Sequence, residues 1–140
     1  MRTVLYGFYS GLFLLAITYL MDSIFQKQLV TILLNVDFIT NKQSDSLIFE
    51  WGLHLFVSII IFIVFSYLKP YRWLYISIYV MSMFMFTFLY IQLPKLAVYE
   101  NVTQDLFGLL LWLIAHVMYL VLVHYLIGRL FTRKNGNMKN

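Results

Sequence analysis

Four long apolar stretches without Asp, Glu, Lys or Arg constrain the fold of this chain more than any other feature. They run over Thr3–Met21, Trp51–Leu68, Trp73–Pro94 and Leu106–Gly128. The hydrocarbon core of a bilayer is about 30 Å thick, so a helix of about 20 apolar residues crosses it. Because unpaired backbone groups are costly in lipid and no barrel-like alternation is present, these stretches predict transmembrane helices.

The composition agrees with this class of protein. The 140 residues are 62% hydrophobic and 11% charged, whereas a soluble domain carries about 25% charged residues. This difference excludes a soluble enzyme, a disordered chain and a nucleic-acid-binding module. The sequence therefore predicts an all-α membrane protein, with one domain over 1–140 and helices at about 3–22, 47–68, 72–93 and 106–128. No A-x-A-like site follows the first stretch, so we expect that helix to be retained.

The charges predict the orientation of the four helices. One side of the membrane receives seven basic residues and no acid, namely Arg2, Lys69, Arg72, Arg129, Arg133, Lys134 and Lys139. All six acids fall on the other side with three lysines, Lys27, Lys42 and Lys95. Basic loops stay in the cytoplasm, so we expect both termini there. The expected location is the cell membrane, as a multi-pass protein of a bacterial plasma membrane.

The segment between the first two helices has the pattern of an amphipathic helix. Its apolar residues share one helical face, namely Phe25, Leu29, Ile32, Leu33 and Val36. This spacing predicts an extracytoplasmic helix over about 24–38, which lies on the outer membrane surface or caps the bundle. Elsewhere, Pro70 and Pro94 are expected to end the second and third helices.

Each predicted span carries a stripe of polar or small residues. On the first helix, Gly7 and Gly11 form a small-xxx-small pair that allows a neighbouring helix to approach closely. On the second, Glu50 and His54 lie one turn apart on one face, and Asp105 and His116 share a face of the fourth. One interpretation is that the stripes form hydrogen bonds between helices.

The other interpretation is a polar vestibule open to the outside. Its candidate residues are Asp37, Glu50, His54, Asp105 and His116. Ionisable groups within a membrane often mark function, and carboxylates with imidazoles suit a proton or a divalent cation. We expect Asp37, Glu50 and His54 to form one connected cluster. The chain has no Cys and no recognisable metal-ligand spacing, so we expect no resident metal, no cofactor and no catalytic residue.

Two stretches carry a resemblance to a known group of proteins. The sequence T-I-L-L-N-V-D-F-I over 31–39, followed by E-W-G-L-H-L over 50–55, resembles small uncharacterised four-span membrane proteins of low-GC Gram-positive bacteria. The resemblance covers the region from the first helix to the second. It implies that Asn35, Asp37, Glu50 and His54 form the signature of that family, and it implies no activity.

Three function classes remain at this point. We expect a non-enzymatic accessory or assembly protein that acts through helix packing. The alternative is a small cation or solute transporter with an outward-facing polar vestibule, and a third class is a lipid-modifying enzyme. The expected partners are the lipid bilayer and a second copy or another membrane protein, and no nucleic acid.

Overall fold

The computed structural model describes residues 2–35, 47–96 and 103–136. Of these residues 91% are helical, and none of them lies in a strand. The helices are α1 (Arg2–Phe25), α2 (Leu29–Leu34), α3 (Leu47–Leu68), α4 (Arg72–Gln92) and α5 (Leu106–Gly136), and a 3-10 turn at Leu93–Leu96 extends α4. The prediction of an all-helical chain is confirmed.

Four of these elements are long and apolar enough to cross a membrane. The candidate spans are Arg2–Phe25, Leu47–Leu68, Arg72–Leu96 and Leu106–Thr132. Their large apolar side chains are mostly exposed; Trp73, for example, is 80% exposed. Several polar side chains, including Ser10, Thr18, Ser58 and His116, are buried instead. This distribution is the one expected of a chain whose surroundings are lipid, and together with the four long apolar helices it suggests a membrane protein.

Each of the four long helices runs antiparallel to the helices on which it packs. Helix α1 packs on both α3 and α5, and α4 packs on α5. Helices α3 and α4 contact each other close to the turn that joins them, where the Phe65 ring lies 4.6 Å from the Tyr79 ring. Farther from that turn, α3 and α4 separate. We call the end with this turn, the start of α1 and the end of α5 the turn end, and the opposite end the α2 end.

The turn between α3 and α4 is tight, as Pro70 predicts. The amide of Lys69 donates to the carbonyl of Phe65 at 3.1 Å, which completes the last turn of α3. The amide of Tyr71 donates to Leu68 at 2.9 Å. Pro70 has no amide hydrogen and cannot continue the helix. The chain therefore reverses within Lys69–Tyr71, and α4 begins at Arg72.

Helix α2 is shorter than the amphipathic pattern predicts. Phe25 still belongs to α1, and Gln26 adopts a positive φ of 53°, which ends that helix. The Asp22 carboxylate accepts hydrogen bonds from the amides of Leu29 and Val30, each at 2.8 Å. This anchors the first turn of α2 on the end of α1. The remainder of the predicted segment, over 36–38, lies outside the described residues.

The apolar face of α2 is buried against the other helices. Leu29 and Ile32 pack in a cluster with Tyr90, Leu111 and Trp112, which belong to α4 and α5. The sequence allowed a helix that lies on the membrane surface or one that caps the bundle. Helix α2 packs on the ends of its neighbouring helices, as a cap would.

Candidate functional site

A cavity of about 320 Å³ lies where α3 and α4 separate, towards the α2 end. We call this gap the α3/α4 seam. Helix α3 lines it with Glu50, Leu53, His54, Val57, Ser58 and Ile61. The wall formed by α4 and the following turn contains Met85, Phe86, Leu89 and Leu93. Leu14, Trp112, His116 and Tyr119 form the back, and Leu33 and Asn35 the cover. The lining is mainly apolar, with a few polar groups.

His116 on α5 forms part of the back wall and is buried against two aromatic rings. It is 2% exposed, and its ring lies 4.2 Å from the rings of both Trp112 and Phe86. Its Nδ1 donates a hydrogen bond to the carbonyl of Trp112 at 2.8 Å. Because a carbonyl is only an acceptor, this bond fixes the proton on Nδ1. The other ring nitrogen, Nε2, is left for a different partner.

His54 on α3 lines the same cavity and contacts α1. Its Nε2 donates to the carbonyl of Gly11 at 3.2 Å. Gly11 has no side chain, and a Cβ there would lie 2.8 Å from the Cβ of Ser58. The close approach of α1 and α3 at this glycine therefore lets the imidazole reach the α1 backbone.

The packing between α1 and α3 is equally close at Gly7. A Cβ at Gly7 would lie only 2.8 Å from the Cα of Ile59. Glycine has no Cβ, and so it alone allows the two helices to approach this closely. The two glycines lie one turn apart and face α3, the arrangement of a small-xxx-small helix interface. They serve the fold by positioning His54 and Ser58 beside the cavity.

Three of the predicted site residues come together at the cavity. Glu50, His54 and His116 all line it, although they belong to two helices that are far apart in sequence. Glu50 lies one helical turn from His54, nearer the α2 end. The hydrogen bond of the His54 ring is made to Gly11. The chemistry available is thus hydrogen bonding by two imidazoles and a carboxylate within an apolar pocket.

Asp105 has a different role, outside the cavity lining. Its carboxylate pairs with the Lys27 ammonium at 2.5 Å and accepts the amide hydrogen of Gly108 at 2.6 Å. It therefore caps the N-terminus of α5 and ties it to the segment before α2. The Lys27 ammonium first, and then the Gly108 amide, stabilise the charged form, so the pKa of Asp105 lies below its ordinary value. The position of Asp37 lies outside the described residues.

The described part of the site contains no cluster of metal ligands. Within 2–35, 47–96 and 103–136, no group of three or more His, Cys, Asp or Glu residues is placed to hold a metal ion. Glu50, His54 and His116 share a cavity without converging on one point.

Several residues of the site were not among the predicted site residues. Trp112 lies four residues before His116 and Tyr119 three residues after it, so all three share one helical face, which was the signal for them. Trp112 is 1% exposed and donates from Nε1 to the carbonyl of Phe86 at 2.9 Å. Met85 and Phe86 lie in an apolar run, where periodicity gives no indication of which side chains face a cavity.

The site thus combines a mainly apolar pocket with three ionisable groups, two of them on α3 and one on α5. Comparison with known proteins adds nothing to this description, because no protein family, curated protein or solved structure matches the chain.

Proposed function

We propose that this chain is a non-enzymatic accessory or assembly protein that packs against a transmembrane helix of a partner membrane protein at the α3/α4 seam. The observation that carries the proposal is the cavity of about 320 Å³ between α3 and α4. The partner is a second copy of the chain or another membrane protein. The four spans would then act together as a four-helix bundle with one incomplete interface.

The physical argument rests on how helices associate in lipid. Lipid tails are as apolar as Leu side chains, so association depends on close packing and on polar groups that bond across the interface. The side chains that line the cavity lack packing contacts on that side. The side chains of a partner helix placed against the seam would supply these contacts. The acceptor nitrogens of His54 and His116 would provide polar contacts within it.

The charge distribution supports an orientation for this site. The turn end carries Arg2, Lys69, Arg72 and Arg129, whereas Asp22, Glu50 and Asp105 lie at the α2 end. By the positive-inside rule, the turn end would face the cytoplasm of a bacterial cell. The seam would then open into the outer half of the plasma membrane, where it would meet a partner helix from the side.

Photo-crosslinking in native membranes tests the proposal. A photoreactive phenylalanine analogue would replace Met85, which is 55% exposed and lines the seam. Leu110 on α5 is 50% exposed and provides a control outside the cavity lining. We expect a polypeptide adduct at position 85 and none at 110. Adducts to lipid alone at position 85, or equal polypeptide adducts at both positions, would overturn the proposal.

A cavity-filling variant makes the test specific to the seam. Val57 lines the cavity from α3, so Val57→Trp should fill part of it and remove the adduct at position 85. The adduct mass separates the two kinds of partner, since a second copy doubles the mass of the 16.7 kDa chain. A full-strength adduct in a normally folded Val57→Trp protein would contradict packing within the seam.

A second candidate is a small cation or solute transporter. It is favoured by one observation, that His54, His116 and Glu50 line the same cavity. Two observations count against a transporter. The cavity lining is mainly apolar, and the carboxylates of Asp22 and Asp105 are used as helix caps. Purified protein in liposomes would show flux that disappears in Glu50→Gln if this candidate is correct. The absence of flux across a broad panel of cations would count against it.

A further inference from the structure

A second groove runs between α4 and α5 from the turn end towards the middle of these helices. Two adjoining cavities form it, of about 500 Å³ and 380 Å³. Both are lined by Tyr79, Val80 and His124, so one continues into the other. This groove is separate from the α3/α4 seam, whose lining contains none of these three residues.

The two sections of the groove differ in chemistry. The section at the turn end is lined by Lys69 and Arg72 together with Tyr75. The deeper section is lined almost entirely by apolar side chains, namely Val80, Met83, Val117, Leu120 and Val121. The groove is therefore basic and aromatic at the membrane surface and apolar inside the membrane.

The length of the groove matches one leaflet. Its lining extends from Arg72 to Met83 along α4, which at 1.5 Å per residue is about 16 Å. Half of a hydrocarbon core about 30 Å thick is about 15 Å. The deep section alone extends from His124 to Val117 along α5, which is about 10 Å at 1.5 Å per residue, so an acyl chain that begins beside Tyr79 would follow the groove over about that distance.

The two cations at the entrance have no acidic partner among the described residues. The acids that the structure describes, Asp22, Glu50 and Asp105, lie at the α2 end. The Lys69 ammonium is held 4.7 Å from the centre of the Tyr75 ring. Two unneutralised cations beside an apolar groove provide a complementary site for an anionic headgroup.

Between the two sections lies a chain of hydrogen-bonding groups. The Tyr75 hydroxyl is 3.0 Å from the Tyr79 hydroxyl and 3.0 Å from Nδ1 of His124. Because they follow the basic entrance and precede the apolar section, these groups would meet the glycerol and ester groups of a lipid bound in the groove. Tyrosines are common at this depth because the ring is apolar and the hydroxyl is polar.

We propose that this groove binds one phospholipid with a net negative headgroup, drawn from the leaflet at the turn end. The headgroup phosphate lies between Lys69 and Arg72, and the ester region lies beside Tyr75 and Tyr79. One acyl chain follows the apolar section past Val121. The lipid thereby becomes part of the α4/α5 surface.

Native mass spectrometry of the full-length protein tests this binding. The protein is released from bilayers that contain equal amounts of phosphatidylglycerol and phosphatidylcholine, and the retained lipids are identified. We expect one retained phosphatidylglycerol in preference to phosphatidylcholine. In the double variant Lys69→Gln/Arg72→Gln, its affinity should fall about tenfold or more. The control Lys95→Gln removes one positive charge at the α2 end, away from the groove, and should leave retention unchanged.

A second variant separates a groove from general attraction of anionic lipid to a basic surface. Val121 lines the deep section and is 63% exposed, so Val121→Trp fills the groove without entering the protein core. It should abolish retention although Lys69 and Arg72 remain, whereas Leu110→Trp should not. If Val121→Trp fails to fold, Val80→Trp from the α4 side replaces it. Equal retention of both lipids by the wild type, or retention that only the charge variants reduce, would overturn the proposal.

Discussion

The hydroxyl of Ser58 on α3 lies 3.2 Å from the hydroxyl of Tyr119 on α5. The same Ser58 hydroxyl donates to the carbonyl of Gly7 on α1 at 3.0 Å. Since its one proton is directed to Gly7, its oxygen accepts the proton of Tyr119. Ser58 therefore connects three helices at the back of the seam, and both side chains are buried.

Removal of either hydroxyl should destabilise the packing of these helices. We expect Ser58→Ala and Tyr119→Phe each to lower the free energy of unfolding by about 0.6–1.7 kcal/mol, which are the average and the largest values found for hydrogen bonds between membrane helices in double-mutant cycles. Unfolding in mixed micelles measures the change, and Ser77→Ala, at an exposed position of α4, is the control. The double variant should lose less than the sum of the single losses. Strict additivity would show that the two hydroxyls do not interact.

Gly7 and Gly11 should tolerate no added methyl group. At Gly7 the new Cβ would lie 2.8 Å from the Ile59 Cα, which belongs to the backbone and cannot move aside alone. We expect Gly7→Ala and Gly11→Ala each to lower the free energy of unfolding by about 1–3 kcal/mol.

Gly52 supplies the matched control for these two glycines. It lies within α3, and a Cβ there would meet nothing within 4 Å. Gly52→Ala should therefore raise the free energy of unfolding by about 0.5–1 kcal/mol, because alanine loses less backbone entropy in a helix. If Gly7→Ala stabilised the protein as Gly52→Ala does, the close contact between α1 and α3 would be disproved.

The Lys27–Asp105 ion pair should make stability depend on pH in the acid range. The pKa of Asp105 is lowered in the folded protein, first by Lys27 and then by the Gly108 amide. Its contribution to stability is fully present above the ordinary Asp pKa of about 3.9. This contribution disappears as the pH falls through the lower, folded-state pKa.

Asp105→Asn isolates the charge because asparagine also caps helices well. The wild type should unfold at a higher temperature than the variant at neutral pH, and the difference should shrink below about pH 4. High salt should reduce the difference as well, since the pair is exposed. Lys27→Gln should behave like Asp105→Asn. A difference between wild type and variant that is independent of pH would argue against the ion pair.

Reporter fusions test the proposed orientation. A reporter fused after Asn140 and another inserted in the Lys69–Arg72 turn should both signal a cytoplasmic location, because basic segments remain there. An insertion within Asn41–Ser46 should signal the outside. An extracytoplasmic signal from the fusion at the C-terminus would reverse the orientation and place the seam in the inner leaflet.

The sequence was sufficient for features that depend on one segment at a time. The apolar run from Trp51 to Leu68 predicts a membrane-crossing helix because its length matches the bilayer, and Pro70 predicts its end. The spacing of Glu50 and His54 predicts that they share a helical face, and both line one cavity. The amphipathic pattern over about 24–38, between the first two spans, was less informative, because its apolar spacing continues across the break at Gln26.

The partners of these residues depended on the tertiary structure. His54 donates to Gly11, 43 residues away in sequence, and Asp105 pairs with Lys27, 78 residues away. Asp105 is thus a helix cap rather than a wall of the cavity.

The sequence by itself determined the number, length and helical nature of the membrane spans, because each depends on the hydrophobicity of a continuous segment. Only the tertiary structure decided that α3 packs on α1 and α4 on α5, which leaves the α3/α4 seam open. The reason is that lipid and the protein interior are both apolar, so hydrophobic periodicity does not mark the buried face of a membrane helix. Trp73 is exposed and Trp112 is buried, although both are the same residue type. Which of them is buried therefore depends on how the neighbouring helices pack and not on the polarity of the side chain.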